Sequence, residues 1–162
     1  MITVQLNRAD FEYDIHSLVK AFYPAENVQV SAEQKESKES ISFHMVTTYL
    51  EKAIQIAFYE SEDTTKNPVL KREIAVDFTD RKQTKNQLKQ TFYQMLCEFT
   101  GTTLPWGDLT GIRPTKIPMA FLEEGRSDAF IRDYMKQTYF ASDEKINLSI
   151  EIAKRELELL KD

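Results

Sequence analysis

Along the first hundred residues, apolar and polar side chains alternate in short runs broken by two helical stretches. "ITVQL" at residues 2–6 reads as a first strand, because side chains on a strand point to opposite faces with a period of two. Asp10 is placed to cap a following helix in which Phe11, Ile15, Leu18, Val19 and Phe22 share one face, and Pro24 marks its end. Val28 and Val30 predict a short second strand. "SAEQKESKES" then offers no apolar side chain larger than alanine and is expected to be a mobile loop. Alternation resumes at Ile41, Phe43 and Met45, at Ile54, Ile56 and Phe58, and at Ile74, Val76 and Phe78. It predicts a three-strand meander with turns near Glu51 and in "SEDTTKNP". From Lys82 to Phe99 the period changes to helical: Leu88, Phe92, Met95, Leu96 and Phe99 fall on one face, and Gly101 stops the helix.

After residue 103 the pattern is helical only. Thr115 can cap a helix with Pro118 in its first turn, where the missing N–H is harmless, and Gly125 ends it. Ser127 or Asp128 caps a second helix burying Phe130, Ile131, Tyr134 and Met135. Ser142 caps a third, with Asp143 and Glu144 in its first turn complementing the helix dipole. The expected fold class is therefore α+β: a small antiparallel sheet with two helices on one face (residues 1–103), a joint (residues 104–116) and a three-helix C-terminal tail (residues 117–162). The last helix has two apolar stripes. Ile146, Ile150, Ala153, Leu157 and Leu160 lie within about 80° of one another, and Leu148, Ile152 and Leu159 lie nearly opposite. Either the other tail helices wrap this helix on both sides, or the second stripe, Leu148, Ile152 and Leu159, is an interface with something outside the chain.

Composition narrows the function classes. The chain has 162 residues, 41% hydrophobic and 29% charged, which is ordinary globular usage and enough for one well-buried domain or a domain with a helical appendage. No apolar run reaches the roughly 20 residues that span a bilayer, and the N-terminus lacks a basic region followed by an apolar one, so a cytoplasmic location without membrane contact is expected. Cys97 is the single cysteine and cannot by itself hold zinc or an iron–sulfur cluster. The net charge of −5 argues against a general nucleic-acid binder. The charge is uneven, however. Between Lys66 and Lys89 there are seven basic residues (Lys66, Lys71, Arg72, Arg81, Lys82, Lys85, Lys89) against three acidic ones, and a nucleic-acid (RNA or tRNA) binding module using this basic face is the rival functional reading. His16 and His44 have no partners at metal-ligand spacing, nothing beside Cys97 would activate a thiol, and Glu123 and Glu124 diverge on their helix. No catalytic or metal-binding constellation is expected in this chain.

One stretch concentrates unusual residues. "LPWGDLTGIRPTK", Leu104 to Lys116, holds two of the four glycines, two of the five prolines and the only tryptophan. It is not a P-loop, because the Gly-Lys-Ser/Thr order is absent and Pro114 removes an amide donor. Thr110, Gly111, Arg113, Thr115 and Lys116 nonetheless precede a helix N-terminus, where free amides and two cations could hold an anion. The structural alternative is that the prolines stiffen the joint, Gly107 and Gly111 permit tight turns, and Trp106 plugs the seam between body and tail.

The string Trp106-Gly107-x-Leu109-Thr110-Gly111-Ile112-Arg113-Pro114-Thr115-Lys116 resembles the signature in the N-terminal region of the coproporphyrinogen dehydrogenase-like (oxygen-independent coproporphyrinogen III oxidase-like) radical SAM proteins of low-GC Gram-positive bacteria. The stretch "SDAFIRDYMKQTYFASDEKINLSIEIAKREL" is similar to the helical segment that leads into that family's catalytic domain, whereas the α+β body matches in pattern only. The resemblance implies a non-catalytic, accessory N-terminal domain of a larger enzyme of heme biosynthesis. In such an enzyme a partial barrel opened by Cys-x3-Cys-x2-Cys carries a [4Fe–4S] cluster and uses S-adenosylmethionine to start oxidative decarboxylation of porphyrinogen propionates. None of these cofactors would sit in this chain. Its partner would be the radical SAM barrel of the same protein, with Trp106, Gly107, Thr110, Gly111, Arg113, Thr115 and Lys116 docking on it or bordering a porphyrinogen substrate.

Overall fold

The computed structural model describes residues 1–33 and 39–161. The middle of the loop expected to be mobile, residues 34–38, lies outside the described residues. The chain forms two compact units, Met1–Thr102 and Thr103–Asp162.

The first unit contains β1 (Ile2–Leu6), α1 (Glu12–Phe22), β2 (Val28–Ser31), β3 (Phe43–Tyr49), β4 (Ala53–Tyr59), β5 (Leu70–Ala75) and α2 (Arg81–Thr100). Its five strands lie in the order β2-β1-β3-β4-β5. The predicted meander is present: β3, β4 and β5 pair antiparallel, with Met45 opposite Phe58 and Ile54 opposite Ile74. The sheet as a whole is mixed, because β1 pairs parallel with both β2 and β3. Alternation specifies which side chains face the core but not strand direction. Direction follows from the connection, and a helix between β1 and β2 returns the chain to the same end of the sheet, which a parallel neighbour requires.

One sheet face is the core. Ile2, Val4, Leu6, Met45, Ile54, Ile56 and Phe58 are all buried, and Phe58 meets Phe92 of α2 at 5.6 Å between ring centroids. Burying side chains of this size stabilises by about 1.5–3 kcal/mol each. The two helices pack against each other, with the Phe22 and Tyr93 rings 5.6 Å apart, and bury Ile15, Leu18 and Val19 of α1 and Leu88, Phe92, Met95 and Leu96 of α2. The outer strand of the meander begins earlier than alternation suggested. β5 covers Leu70–Ala75, while Val76 donates its N–H to Lys52 O (3.0 Å) and Phe78 lies in the turn before α2.

The helix ends show where local rules hold and where tertiary contacts override them. Gly101 ends α2 in the left-handed conformation (φ 72°), as expected, and Asp80 caps its start by accepting from Gln83 N–H at 3.1 Å. Asp10 does not cap α1. That position belongs to Phe11, a left-handed residue (φ 62°) with no side-chain cap, and Asp10 instead pairs with Arg8 (2.9 Å) and Arg81 (3.5 Å). Phe11 is 6% exposed and lies 6.4 Å from the Tyr49 ring. Burial of an aromatic ring thus offsets a backbone strain of about 1–3 kcal/mol.

The second unit contains α3 (Lys116–Glu123), α4 (Asp128–Tyr139) and α5 (Asp143–Leu159). Ser127 and Ser142 cap α4 and α5, accepting from Phe130 N–H (3.1 Å) and Lys145 N–H (3.3 Å). Leu109, Ile131, Met135, Ala141, Ile146 and Ile150 form its core. No helix among the described residues is long and apolar enough to cross a membrane.

Candidate functional site

The thirteen residues 104–116 fall within the second unit and divide into two halves of different character. The first half is a strap bound to the connection between α4 and α5. Ser142 N–H donates to Pro105 O and Asp108 N–H to Tyr139 O, both at 2.8 Å. Between them Gly107, at φ 62°, lies so close to that connection that an added Cβ would fall 1.8 Å from Tyr139 O and 2.6 Å from the Phe140 carbonyl carbon. Only glycine fits both the conformation and the space. Leu109 then enters the core of the unit, and the Trp106 ring packs on the outside of that core, with the Lys145 ammonium 5.7 Å from its centroid. Asp108, the variable position of the string, is 1% exposed. The neighbouring Tyr139 phenol is pushed well above the usual tyrosine range, chiefly by burial, then by Tyr134 and by the negative charge of Asp108.

The second half is open to solvent. Gly111 (φ 74°), Ile112, Arg113 and Lys116 are exposed, Ile112 at 40%. Arg113 reaches α5, its Nη2 3.5 Å from Glu156 Oε2. Thr110 and Pro114 are half-buried. Thr115 occupies the cap position of α3 but makes no cap bond. It is 8% exposed, and its Oγ1 has no hydrogen-bond partner among the described residues.

The free amides expected at this helix start are not available. Lys116 N–H donates to Arg113 O (3.0 Å), Ile117 N–H to Pro114 O (3.4 Å) and Met119 N–H to Thr115 O (3.1 Å), and Pro118 has no N–H to offer. The tight turn through Arg113 and Pro114 satisfies the donors internally, so the anion-binding chemistry of a helix N-terminus reduces here to the side chains of Arg113 and Lys116.

The two stripes of α5 fare differently. Of the first stripe, Ile146, Ile150 and Ala153 are buried, Leu157 is half-buried and Leu160, past the end of the helix, is 73% exposed; of the second, Leu148 is 41% exposed, Ile152 half-buried and Leu159 79% exposed. The rest of the unit therefore covers the first stripe from Ile146 to Ala153 and leaves Leu148 and Leu159 of the second open.

Elsewhere in the chain the candidate groups are dispersed. His16 is exposed; the His44 Nδ1 lies 2.7 Å from Thr3 Oγ1, and burial holds its pKa below the usual histidine value. Burial also raises the Cys97 thiol, so its reactive thiolate is disfavoured. Among the described residues no three His, Cys, Asp or Glu side chains converge as a metal site would require. Three cations of the basic segment are engaged or buried, while Lys66, Lys71 and Lys82 are exposed. Arg72 pairs with Glu98 (2.9 Å), Arg81 pairs with Asp10 and lies 4.5 Å over the Phe11 ring, and Lys89 is 7% exposed.

Sequence reading located the strap but not what it binds. Tyr139, Phe140 and Asp108 were missed, and the only available signal was a glycine directly after the tryptophan, which marks a backbone needing φ above zero or close approach without naming the neighbour.

No protein-family model matches the chain, and no solved structure matches it. The chain is 39% identical over 89 residues to a curated bacterial protein, a stretch covering 53% of this chain but 18% of that relative, so it spans under a fifth of the relative's length. The family suggested by the string at Trp106–Lys116 is the one for which this relative is named: the chain is similar to the oxygen-independent coproporphyrinogen-III oxidase-like protein HemZ of Bacillus subtilis (strain 168).

Proposed function

We propose that this chain serves as an accessory domain of an oxygen-independent coproporphyrinogen-III oxidase-like enzyme, and that its helical unit docks on a catalytic barrel of the radical SAM type. The observation that carries the reading is the open second stripe of α5, Leu148, Ile152 and Leu159, in a chain similar to HemZ over a fraction of that protein's length. Exposed leucines on an otherwise charged helix are the chemistry of a buried interface core. In this reading Arg113 and Lys116, the two exposed cations on the open half of the motif, meet carboxylates of a porphyrinogen substrate or of the partner surface.

The cofactor assignment follows from the donors present. A [4Fe–4S] cluster is held by several thiolates, and this chain has one cysteine, which is half-buried on α2. The residues present do not fit the cluster, so in this reading the cluster and S-adenosylmethionine belong to the barrel, and no chemical step is assigned to these 162 residues.

The test is made in the full-length enzyme. Removing the domain is expected to abolish turnover or substrate binding, and the double variant Arg113→Ala, Lys116→Ala to raise KM more than it lowers kcat. A barrel that turns over normally without the domain overturns the accessory role. Unchanged KM in the double variant overturns the carboxylate contact while leaving docking to be judged separately.

A further inference from the structure

The sheet face opposite α1 and α2 carries a cleft of about 420 Å³ that nothing in the proposed docking role uses. Its floor follows from strand register. Gln5 of β1 is the Cα partner of Val46 of β3, and both line it, with Thr48 two residues further along β3. Tyr59 forms one wall and Thr48 lies at the other end of the floor. Thr64 closes the rim from the connection between β4 and β5, in a turn where Asp63 Oδ1 accepts from the Thr65 N–H (3.0 Å) and hydroxyl.

Two features make this more than a solvated sheet surface. First, its frame is fixed in advance. The Asn7 side chain is clamped to the Tyr49 backbone by two hydrogen bonds of 2.7 and 2.9 Å, as an extra rung of the sheet. Second, the polar ends that remain are unspent: the Gln5 amide and the Thr48 and Tyr59 hydroxyls make no hydrogen bond to the described residues. No acidic or basic side chain lines the cleft.

We infer that this cleft binds an uncharged, hydrogen-bonding heteroaromatic ring of the nucleobase class. The Tyr59 ring supplies a stacking surface, and Gln5 supplies a donor and an acceptor side by side, the pattern that reads a base edge. The volume lies within the range of small-ligand sites. Because no cation lines the cleft, phosphate contributes nothing to recognition. The ligand is the base of a free nucleoside and not a nucleic-acid backbone, and binding is insensitive to salt.

The test is titration of the 162-residue chain with adenosine, guanosine, cytidine and uridine in turn, followed by amide chemical shifts at low and high salt. A saturable shift confined to residues around Gln5, Thr48 and Tyr59 is expected for at least one nucleoside, unchanged by salt and weakened roughly tenfold or more in Tyr59→Ala. Gln5→Ala, at a half-buried site without bonds to lose, provides the check if Tyr59→Ala unfolds. Absence of a saturable shift with all four nucleosides overturns the inference. So does binding that survives Gln5→Ala with full affinity, or binding that disappears at high salt, which would mean that a charged contact and not stacking and hydrogen bonding holds the nucleoside.

Discussion

Gly107 is the position at which a single methyl group has the most to disturb. Its Cβ would sit 1.8 Å from the Tyr139 carbonyl oxygen, and its φ of 62° disfavours any L side chain. Gly107→Ala must therefore break the strap's two hydrogen bonds or displace the end of α4, and we expect a loss of about 3 kcal/mol, measurable by denaturant unfolding of the helical unit. A loss below about 1 kcal/mol would mean that the connection between α4 and α5 yields easily, and that the strap is not what fixes it. Tyr49 makes a second residue-scale prediction. Its hydroxyl donates to Asp10 O at 2.6 Å, and burial, reinforced by the Asp10 charge, raises its pKa well above the usual tyrosine value. The folded protein keeps this proton at a pH where the unfolded chain has lost it. Its contribution is thus full below pH of about 10 and declines as pH rises beyond that. Tyr49→Phe is expected to cost about 1 kcal/mol at neutral pH and to flatten the alkaline fall in stability. An identical alkaline slope in the variant would assign that fall to other groups. The sequence marked Gly107 as special but showed no reason for Tyr49, because its importance arises from Asp10, thirty-nine residues away.

At the scale of elements, what was legible is what local chemistry decides. Strand alternation in β1, β3 and β4, the apolar face of α2, Gly101 at its end and the serine caps of α4 and α5 all depend on neighbours within about four residues. The parallel pairing of β1, the left-handed Phe11 and the internal satisfaction of the α3 amides depend on distant partners or on the path of the chain, and pattern does not carry them. The contrast between two hydroxyls tests this reading. Ser142 makes its cap bond, so Ser142→Ala should destabilise the helical unit by about 1 kcal/mol. Thr115 occupies the same kind of position with its Oγ1 buried and unbonded, so Thr115→Val, which keeps the shape and removes the hydroxyl, should leave stability unchanged or raise it by up to about 1 kcal/mol. Thermal unfolding of the two variants side by side decides the matter. A destabilised Thr115→Val would show that the hydroxyl is spoken for in solution.

At the scale of the whole molecule, exposed apolar side chains are concentrated in the helical unit. Ile112, Phe130, Leu148, Leu159 and Leu160 are there, against Tyr13, Leu50 and Val69 in the sheet unit. Leu148 and Leu159 share one side of α5 with Ile152, and Arg113 of the motif is paired with Glu156 of the same helix. A surface helix that needs only to cover its own core has no use for a second apolar stripe. If the stripe is covered by a catalytic partner, the double variant Leu148→Asp, Leu159→Asp will separate folding from docking. Both side chains are at least 41% exposed, so unfolding of the isolated chain should change by no more than about 0.5 kcal/mol. Association of the chain with a separately produced barrel, read by calorimetry or light scattering, should weaken by roughly a hundredfold or more, since two charges would then be buried without partners. Undiminished association with intact folding would move the docking surface off α5 and leave the open half of the motif, Ile112 to Lys116, as the surface to be tested next.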